Sequence, residues 1–453
     1  MGKTKPHTDK ITASSALKNG SANVALSTVI WGWGCLVRKQ FTKGALYLAA
    51  EVMLILYMIQ SGVHNLSKLI TLGEMEQQKI WNEAKSLYEY VDGDRSLTIL
   101  LYGIVTVAAL VCAVLLARMS IKSAYKAETL AKSGKPVPSI RTEIRDQFDK
   151  NLHTTLLSLP ILGVLAFTIL PLLFMTSMAF TNYSVIDNKL VLFDWVGLNN
   201  FKRMLDLNGS LGQTFWSVLG WTITWAVVAT FSNYILGVLL SVFINWKEIR
   251  AKKFWRFCFV LTVAVPHFVT LMIIRQMLQP TGAVNVLLQS MGWIDAPLPF
   301  FTDTTWARVS VILISIWVSV PYVLLQITGI LQNIPAELYE SARIDGAGPV
   351  VTFFKITMPY MLFVTTPYLI TSFTGNINNF NTIFLTSQGL PRAVESTAGK
   401  TDLLITWLYK LTIDNQYYDI GAVIGIMTFI SLSIVSLLTF HYSGSYKNEE
   451  GFR

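Results

Sequence analysis

Eight long apolar stretches divide the chain and are separated by shorter polar and basic segments. Most of them reach the roughly 20 residues that an α-helix needs to cross a bilayer. The pattern therefore predicts an all-α polytopic membrane protein with about eight transmembrane helices, at residues 44–60, 97–117, 154–180, 215–245, 257–278, 307–331, 359–383 and 419–441. A further apolar stretch at 22–37 is shorter and is interrupted by Gly32 and Gly34, which favours a helix at the membrane surface over a ninth span.

Composition agrees with a membrane protein and argues against other classes. Hydrophobic residues make up 52% of the 453 residues and charged residues 14%, whereas a soluble domain carries roughly 25% charged residues. The net charge of +9 lies in loops between apolar stretches, so nucleic acid is not an expected partner. Cys35, Cys112 and Cys258 have no paired spacing, which predicts neither a disulfide framework nor a metal site.

The distribution of basic residues predicts the orientation in the membrane. With the amino terminus inside, the inner segments carry 24 Lys and Arg residues and the outer loops carry 10, which is the bias expected of an inserted protein. The first twenty residues are polar and basic and predict no cleavable signal peptide. We therefore expect a multi-pass plasma-membrane protein with both termini in the cytoplasm.

A basic, polar inner segment at about 118–153 separates the first two predicted spans from the other six. Its Ser, Gly and Pro residues between 133 and 138 predict irregular structure there. The expected organisation has four parts: a cytoplasmic tail with the surface helix (1–43), two spans with a basic loop (44–153), a six-span domain (154–445) and a second cytoplasmic tail (446–453).

The inner segment between spans six and seven, residues 333–360, has the pattern of a short helix with defined ends. Pro335 suits the first turn, where its missing N–H costs nothing. Glu337 and Glu340 lie toward the positive end of the helix dipole, and Gly346 suits the left-handed turn that ends such a helix. By itself this pattern predicts a well-capped loop helix, which many transporters contain.

The spacing within this segment resembles a family motif. Glu340-Ser341-Ala342 is followed after three residues by Gly346, and after nine more by Ile356-Thr-Met-Pro359. This is similar to the EAA loop of ABC importer permeases, in which three residues separate EAA from glycine and nine separate glycine from I-x-L-P. Ser341 replaces the first alanine and Met358 replaces leucine. The neighbouring residues resemble the sugar-importer branch of that family.

The resemblance implies that this loop docks into a cytoplasmic ATPase subunit and transmits its closure to the spans. It implies that Glu340 is the main polar anchor within Glu340-Ser341-Ala342, that Gly346 forms the turn, and that Asp345 and Ala347 give supporting contacts. It also implies a bacterial plasma membrane and four kinds of partner: a second homologous permease subunit, a dimer of cytoplasmic ATPase subunits, an extracellular solute-binding protein and a sugar.

The chain has no phosphate-binding loop of its own. Gly399-Lys400-Thr401 ends like one, but such a loop needs a glycine five positions earlier, where the sequence has Val394. The same residues fall in a predicted outer loop, where ATP is absent. We therefore expect no cofactor in this chain and no enzyme activity, with ATP bound by the partner ATPase subunits.

Span seven is unusually polar, with four asparagines between residues 376 and 381. Amides at this depth are costly in hydrocarbon unless they face a partner or a watered cavity. Asn376 and Asn379 share a helix face with Ser372, beside Phe373 and Phe380, and neutral amides next to aromatic rings suit a sugar. The alternative is that the amides hydrogen-bond between helices. A single asparagine favours that alternative, whereas the cluster favours a cavity.

The same stretch resembles the larger, substrate-contacting membrane subunit of maltose importers. In span six, Ser319-Val-Pro-Tyr322 is similar to that subunit's Gly-x-Pro-Tyr, which implies that Tyr322 stacks or hydrogen-bonds on the sugar. Ser319 departs from the family's glycine, and Gly375 has no side chain to make its contact. The implied sugar-binding positions are Ser319, Tyr322, Ser372, Gly375, Asn376 and Asn379, and the implied cargo is an oligosaccharide such as maltose or maltodextrin.

The main alternative is an ion-driven secondary transporter of a neutral solute. It needs a carboxylate relay near the membrane midplane, and Glu51 stands alone outside the six-span region. A membrane-embedded enzyme is disfavoured because no triad spacing or paired carboxylate falls inside the spans. Glu51, His267 and Arg275 are ionisable groups in or near spans that the sequence assigns to no site.

Overall fold

The computed structural model describes residues 12–76, 78–82, 87–91, 93–134, 136–184, 192–246, 248–392 and 396–442. Those residues are mostly helical and contain one two-stranded hairpin. Residues 1–11 of the predicted first tail and the predicted second tail at 446–453 lie outside the described residues.

The chain forms two compact units, with the described residues up to Tyr183 and 192–196 in the first and those from Gly197 onward in the second. This division groups the third long helix with the first two. The start of a six-span domain at residue 154 stays a prediction.

The first unit combines three short helices, three long helices, a loop helix and the hairpin. Its elements are α1 (Ala13–Asn19), α2 (Ala22–Leu26), α3 (Trp33–Val37), α4 (Phe41–Thr71), β1 (Gln78–Asn82), β2 (Leu87–Val91), α5 (Ser96–Lys132), α6 (Ile140–Phe148) and α7 (Leu152–Met178). The strands are antiparallel, with Gln78 opposite Val91.

The stretch 22–37 differs from the single surface helix that the sequence predicts. It forms α2 and α3 with a turn between them, in which Gly32 has a φ of +84°. A Cβ at Gly32 would lie 2.4 Å from the Gly44 carbonyl oxygen, so glycine is required both by the backbone conformation and by the close approach to α4. The stretch packs against α5 and contains no helix long enough to span a membrane.

The second unit contains the remaining elements. They are α8 (Asn199–Leu205), α9 (Ser210–Asn245), α10 (Lys252–Ala264), α11 (His267–Met277), α12 (Ala283–Ser290), α13 (Thr304–Gln332), α14 (Ala336–Ile344), α15 (Pro349–Ile377), α16 (Phe380–Leu385), α17 (Leu404–Tyr409) and α18 (Tyr418–Tyr442).

The core of the second unit runs along the contact between α9 and α13, with α15 beside α9. A Cβ at Gly237 of α9 would lie 2.4 Å from Val323 of α13, so the missing side chain lets these helices approach closely. Hydroxyl pairs cross the same contacts, with the Tyr234 hydroxyl 2.7 Å from that of Thr365. Such small residues and hydroxyl pairs are how helices associate in lipid, where the hydrophobic effect does not drive their packing.

Within the described ranges, seven helices are long and apolar enough to cross a membrane, and the bent pair α10–α11 makes an eighth if it is counted as one span. The prediction of about eight transmembrane helices is therefore confirmed. The fifth predicted span, at 257–278, is divided into α10 and α11, which meet at an angle of 88°. Pro266 lies at the break, and a proline removes a helical N–H and clashes with the preceding turn.

Candidate functional site

The first candidate site is α14 together with the turn that follows it. The helix starts directly after Pro335 and ends at Ile344. Gly346 then has a φ of +77°, as the sequence predicts. A Cβ at Gly346 would meet no atom within 4 Å, so glycine is favoured there by backbone conformation and not by crowding.

Most of the predicted docking residues on α14 and its turn point to the surface. Glu340, Ser341, Asp345 and Gly346 are exposed, Ala347 is half-buried and Ala342 is buried. The side chain of Ile344 is 86% exposed. The Ala347 N–H donates to the Ala342 carbonyl at 2.8 Å, which closes the turn. The structure thus gathers all six predicted coupling residues in one compact, exposed element.

A hydrogen bond joins α14 to the long helix α15. The hydroxyl groups of Tyr339 and Thr357 lie 3.0 Å apart. Thr357 is buried in a π-helical turn of α15, Phe353–Thr357. This bond joins the exposed helix α14 to α15, a helix long and apolar enough to cross a membrane.

The second candidate site lies at the end of α15, where Asn376 is held by protein groups. Its Nδ2 donates to the Thr230 hydroxyl at 2.9 Å, and its backbone carbonyl accepts the Trp225 Nε1–H at 3.1 Å. Its side chain is 9% exposed. The amide therefore makes an interhelical hydrogen bond to α9, which is the use that the sequence favours for a single asparagine.

Asn379 lies beyond the helix that carries Asn376. α15 ends at Ile377, so the predicted span end at 383 is wrong, and Asn379 instead caps α16 by accepting the Thr382 N–H at 3.1 Å. Its Nδ2 lies 3.4 Å from Oδ1 of Asn376. The two amides are therefore in contact, although a helix break separates them. Ser372 is half-buried on α15 and Gly375 is exposed.

The remaining predicted residues lie on α13. Tyr322 is 47% exposed and follows Pro321 inside the helix, while Ser319 is half-buried. Within the part of the chain that the structure describes, no hydrogen bond joins Tyr322 to Asn376 or Asn379. The structure therefore brings the two asparagines into contact and places Tyr322 on a separate helix, α13.

Sequence reasoning missed the groups that hold these residues in place. Trp225 and Thr230 come from α9, about 150 positions before Asn376, and no local pattern signals that pairing. It also missed the buried ion pair between Asp402 and Lys410. The eight-residue spacing of two opposite charges was the available signal, but both fell in a predicted outer loop.

One ionisable group that the sequence left unassigned has a structural partner. Glu51 of α4 accepts the Trp31 backbone N–H at 2.7 Å, which fixes the turn between α2 and α3. Among the described residues, no group of three His, Cys, Asp or Glu side chains could hold a metal ion.

Comparisons with known proteins define the class of this protein. The family described as binding-protein-dependent transport system inner membrane component matches residues 233–444. The maltodextrin transport system permease protein MdxF of Bacillus subtilis (strain 168) is 34% identical over 437 residues, which cover 94% of this chain and 96% of that protein. The galactooligosaccharides transport system permease protein GanP of the same organism is 32% identical over 427 residues, covering 94% and 98%.

A further relative and a solved structure each match only part of the chain. The maltose/maltodextrin transport system permease protein MalF of Escherichia coli (strain K12) is 32% identical over 250 residues, which cover 53% of this chain and 48% of that one. The crystal structure of a bacterial ABC transporter involved in the import of the acidic polysaccharide alginate aligns with a TM-score of 0.54 at 22% identity, covering 66% of this chain and 97% of that chain. At that identity the structural match supports the fold alone.

The chain belongs to the family of binding-protein-dependent transport system inner membrane components. It is a permease subunit of an ABC importer and a multi-pass plasma-membrane protein, and it is not itself an enzyme.

Proposed function

We propose that this chain imports a neutral oligosaccharide, maltodextrin, by alternating access driven by a separate pair of ATPase subunits. Both termini are cytoplasmic in this proposal, and α14 faces the cytoplasm. The other components are a second homologous permease subunit and an extracellular solute-binding protein. The observation that carries the proposal is the exposed α14 with its left-handed Gly346, in a chain 34% identical to a maltodextrin permease.

The physical case for ATPase docking rests on the surface of α14. Ile344 is 86% exposed, and Val350 and Phe354 of the segment that follows are exposed as well. Several exposed apolar residues in one short segment suit a surface that a partner protein covers, whereas a single one would not require it. Glu340 lies one turn before Ile344 on the same face and adds a charged contact. This combination of an apolar contact with a charged neighbour suits a groove on a partner protein.

Transmission to the membrane follows from the bond between Tyr339 and Thr357. A rigid helix of nine residues that is gripped at its exposed face moves as one body. The hydrogen bond to Thr357 then transfers that motion to the start of α15, which carries Asn376 at its other end. Closure of an ATPase dimer can bias two membrane states through such an element.

The case for a sugar rests on uncharged polar groups at membrane depth. Asn376 and Asn379 contact each other near the end of α15, and the Asn379 side chain is only half-buried. Tyr322 presents an exposed ring on α13. Amides that donate and accept, together with an aromatic face, match the hydroxyl groups and ring faces of a sugar.

The proposal that the sugar is maltodextrin, and not another oligosaccharide, rests on the relatives. MdxF and a maltodextrin permease of Streptococcus pneumoniae are 34% and 33% identical to this chain, whereas GanP, a galactooligosaccharide permease, is 32% identical. Galactooligosaccharide import is therefore the second candidate. Uptake of maltotriose and of a galactooligosaccharide of equal length distinguishes the two.

The test is reconstitution of the purified chain with its partner permease, ATPase subunits and solute-binding protein in liposomes. We expect ATP-dependent maltotriose uptake, lost in Glu340→Gln and retained in Glu337→Gln, which changes a neighbouring acid on the same helix. Glu340→Gln leaves ATP hydrolysis no longer stimulated by sugar and binding protein. Uptake by the chain alone, driven by a proton or sodium gradient, overturns the proposal in favour of a secondary transporter.

A further inference from the structure

The helix α5 continues beyond the hydrocarbon core at its carboxyl-terminal end. Residues 96–117 carry no charged side chain, and Arg95 and Arg118 bound them on either side. This part is about 33 Å long at 1.5 Å per residue, close to the roughly 30 Å thickness of the core. The edge of the core therefore lies near Arg118, and the rest of the helix, up to Lys132, extends past it.

The turn between α2 and α3 supports this depth. The Gly32 N–H donates to Ser120 Oγ at 2.8 Å, so the turn meets α5 two residues after Arg118. Val29 and Ile30, which directly precede the turn, are both exposed. Apolar side chains at this level suit the boundary between lipid headgroups and acyl chains.

Three basic side chains follow one another along a single face of α5. Arg118, Lys122 and Lys126 are spaced by four residues, which places them above one another on the helix, and all three are exposed. We call them the basic stripe. Val111 and Leu115 lie on the same face within the apolar part and are also exposed. One face of α5 thus changes from apolar to basic where the helix leaves the core.

The opposite face of α5 is covered by the amino-terminal segment. Ser120 and Ala124 are buried there, and Ala124 packs in a cluster with Ala16 and Val24. Positions two residues apart on a helix are separated by about 200°, so Arg118 points away from Ser120. The basic stripe is therefore on the side of α5 that the amino-terminal segment leaves uncovered.

The basic stripe differs from the neighbouring cations in having no acidic partner. Arg38 and Lys132 pair with Glu128, and Lys43 pairs with Glu143. Among the residues that the structure describes, no carboxylate forms an ion pair with any member of the stripe. All three positive charges of the stripe are thus available to an external anion.

The direction of α5 favours contact between the basic stripe and the membrane. Each Cα–Cβ bond of a helix tilts toward the helix amino terminus, which for α5 is the side of the membrane core. Lys122 and Lys126 lie about 6 and 12 Å beyond Arg118 along the axis, and the headgroup layer is about 5–8 Å deep. The long lysine side chains can reach back over this distance.

We propose that the basic stripe binds the headgroups of anionic phospholipids in the leaflet that α5 meets at this end. Val111 and Leu115 contact the acyl chains of the same lipids. A zwitterionic phospholipid carries an ammonium group beside its phosphate, so the stripe attracts it less. One Lys or Arg near an anionic surface changes membrane binding by about fivefold. This binding goes beyond the proposed function, because it does not depend on the cargo or on the partner of α14.

The experiment measures how often each lipid approaches Met119, which is exposed beside the basic stripe. Met119→Cys carries a bimane fluorophore in a chain that also has Cys112→Ser and Cys258→Ala. The purified importer is placed in nanodiscs of phosphatidylcholine, and a nitroxide-labelled lipid replaces an increasing fraction of it. We expect labelled phosphatidylglycerol to reach half-maximal quenching at about a fivefold lower fraction than labelled phosphatidylcholine.

Two double variants of equal charge separate the stripe from general electrostatics. Lys122→Gln with Lys126→Gln lowers the preference for phosphatidylglycerol below about twofold, and adding Arg118→Gln abolishes it. Lys18→Gln with Lys39→Gln is the matched control and keeps the preference. It also removes two exposed lysines, but from the ends of α1 and α3, which pack against the opposite face of α5. Co-purification with the partner subunits checks that each variant assembles.

Three results would overturn the inference. Equal quenching by both lipids in the unaltered stripe, or an unchanged preference in the triple variant, identifies a solvated surface. Weak quenching by both lipids shows that another protein covers the stripe. Loss of the preference when inorganic phosphate replaces chloride at equal ionic strength identifies a site for free phosphate. Sugar uptake and ATP hydrolysis enter none of these readouts, so the proposed function stands or fails separately.

Discussion

The Nζ of Lys410 lies 2.6 Å from Oδ2 of Asp402, and the two side chains are 6% and 0% exposed. The same carboxylate accepts the Gly399 N–H at 2.6 Å and the Thr406 hydroxyl at 2.9 Å. Lys410 also donates to the Gln388 carbonyl at 2.8 Å. Through Lys410, the ion pair therefore joins the segment after α16 to the end of α17. α16 is the helix that Asn379 caps.

Removing one member of this pair should destabilise the protein strongly. Asp402→Ala leaves a buried ammonium without its counter-charge, and Lys410→Met leaves a buried carboxylate, each at a cost of about 3–5 kcal/mol. Thermal unfolding of the detergent-purified protein measures the change. The double variant Asp402→Asn with Lys410→Met removes both charges and should recover much of the loss. Equal stability of all the variants would show that the pair contributes nothing.

Asn376 hydrogen-bonds to a neighbouring helix and also belongs to the proposed sugar site, which leads to a second prediction. Thr230→Val removes the acceptor of its amide, and Asn376→Ala removes the amide itself. If Asn376 serves only to pack helices, both variants lower the unfolding temperature and uptake to similar extents. We expect both to lower stability by about 1 kcal/mol, with a larger loss of sugar uptake in Asn376→Ala. Identical uptake in the two variants would remove Asn376 from the sugar site.

The amino-terminal segment provides a third prediction, because buried Glu128 of α5 holds it. Glu128 Oε2 accepts the Ser21 N–H at 3.1 Å and the Ser21 hydroxyl at 2.9 Å, and it lies 3.4 Å from Arg38 Nη2. Glu128→Ala should release residues 12–40 from α5 and speed tryptic cleavage at Lys18 and Arg38. Lys132→Ala removes only an exposed partner and serves as the control. Unchanged cleavage in Glu128→Ala would show that other contacts hold the segment.

A fourth prediction concerns the bond between Tyr339 and Thr357. Tyr339→Phe removes it without changing the surface of α14 that carries Glu340. We expect the ATPase subunits to bind normally, with less sugar transported per ATP hydrolysed, because the docked helix is less firmly joined to α15. Thr357→Val removes the same bond from the other side and should behave alike. Normal transport per ATP in both variants would mean that force passes by another route.

Most of the spans follow from hydrophobic length alone. Span six is predicted at 307–331 and found at Thr304–Gln332, since a continuous apolar run bounded by Asp303 leaves few alternatives. Asp303 caps that helix by accepting the N–H groups of Thr305 and Trp306. The left-handed Gly346 also follows from local chemistry, because few other residues adopt that conformation without strain.

The features that the sequence did not predict depend on contacts between residues distant in sequence, or on which of two local structures a residue adopts. Pro266 signals a break in span five, but the local sequence does not define the 88° angle, and both halves of the span contact α13. Asn379 fits a helical stripe with Asn376 on spacing alone, and the structure instead uses it as a cap. The sequence counts Lys410 with the exposed cations of an outer loop, whereas a carboxylate eight residues away allows it to be buried.

The most direct test of the account is cross-linking from the exposed end of α14. Ile344→Cys places a thiol there. The same chain carries Cys112→Ser and Cys258→Ala, so that these two native thiols do not react, whereas Cys35 is buried and is left unchanged. With a short reagent that carries a maleimide for this thiol and a photoreactive group for any neighbouring residue, we predict a cross-link to the ATPase subunit that increases when ATP closes the ATPase dimer. A cysteine at the neighbouring exposed position 350 provides a second site on the same surface. Failure of both thiols to capture an ATP-hydrolysing partner in the assembled importer, while sugar uptake continues, would contradict the account.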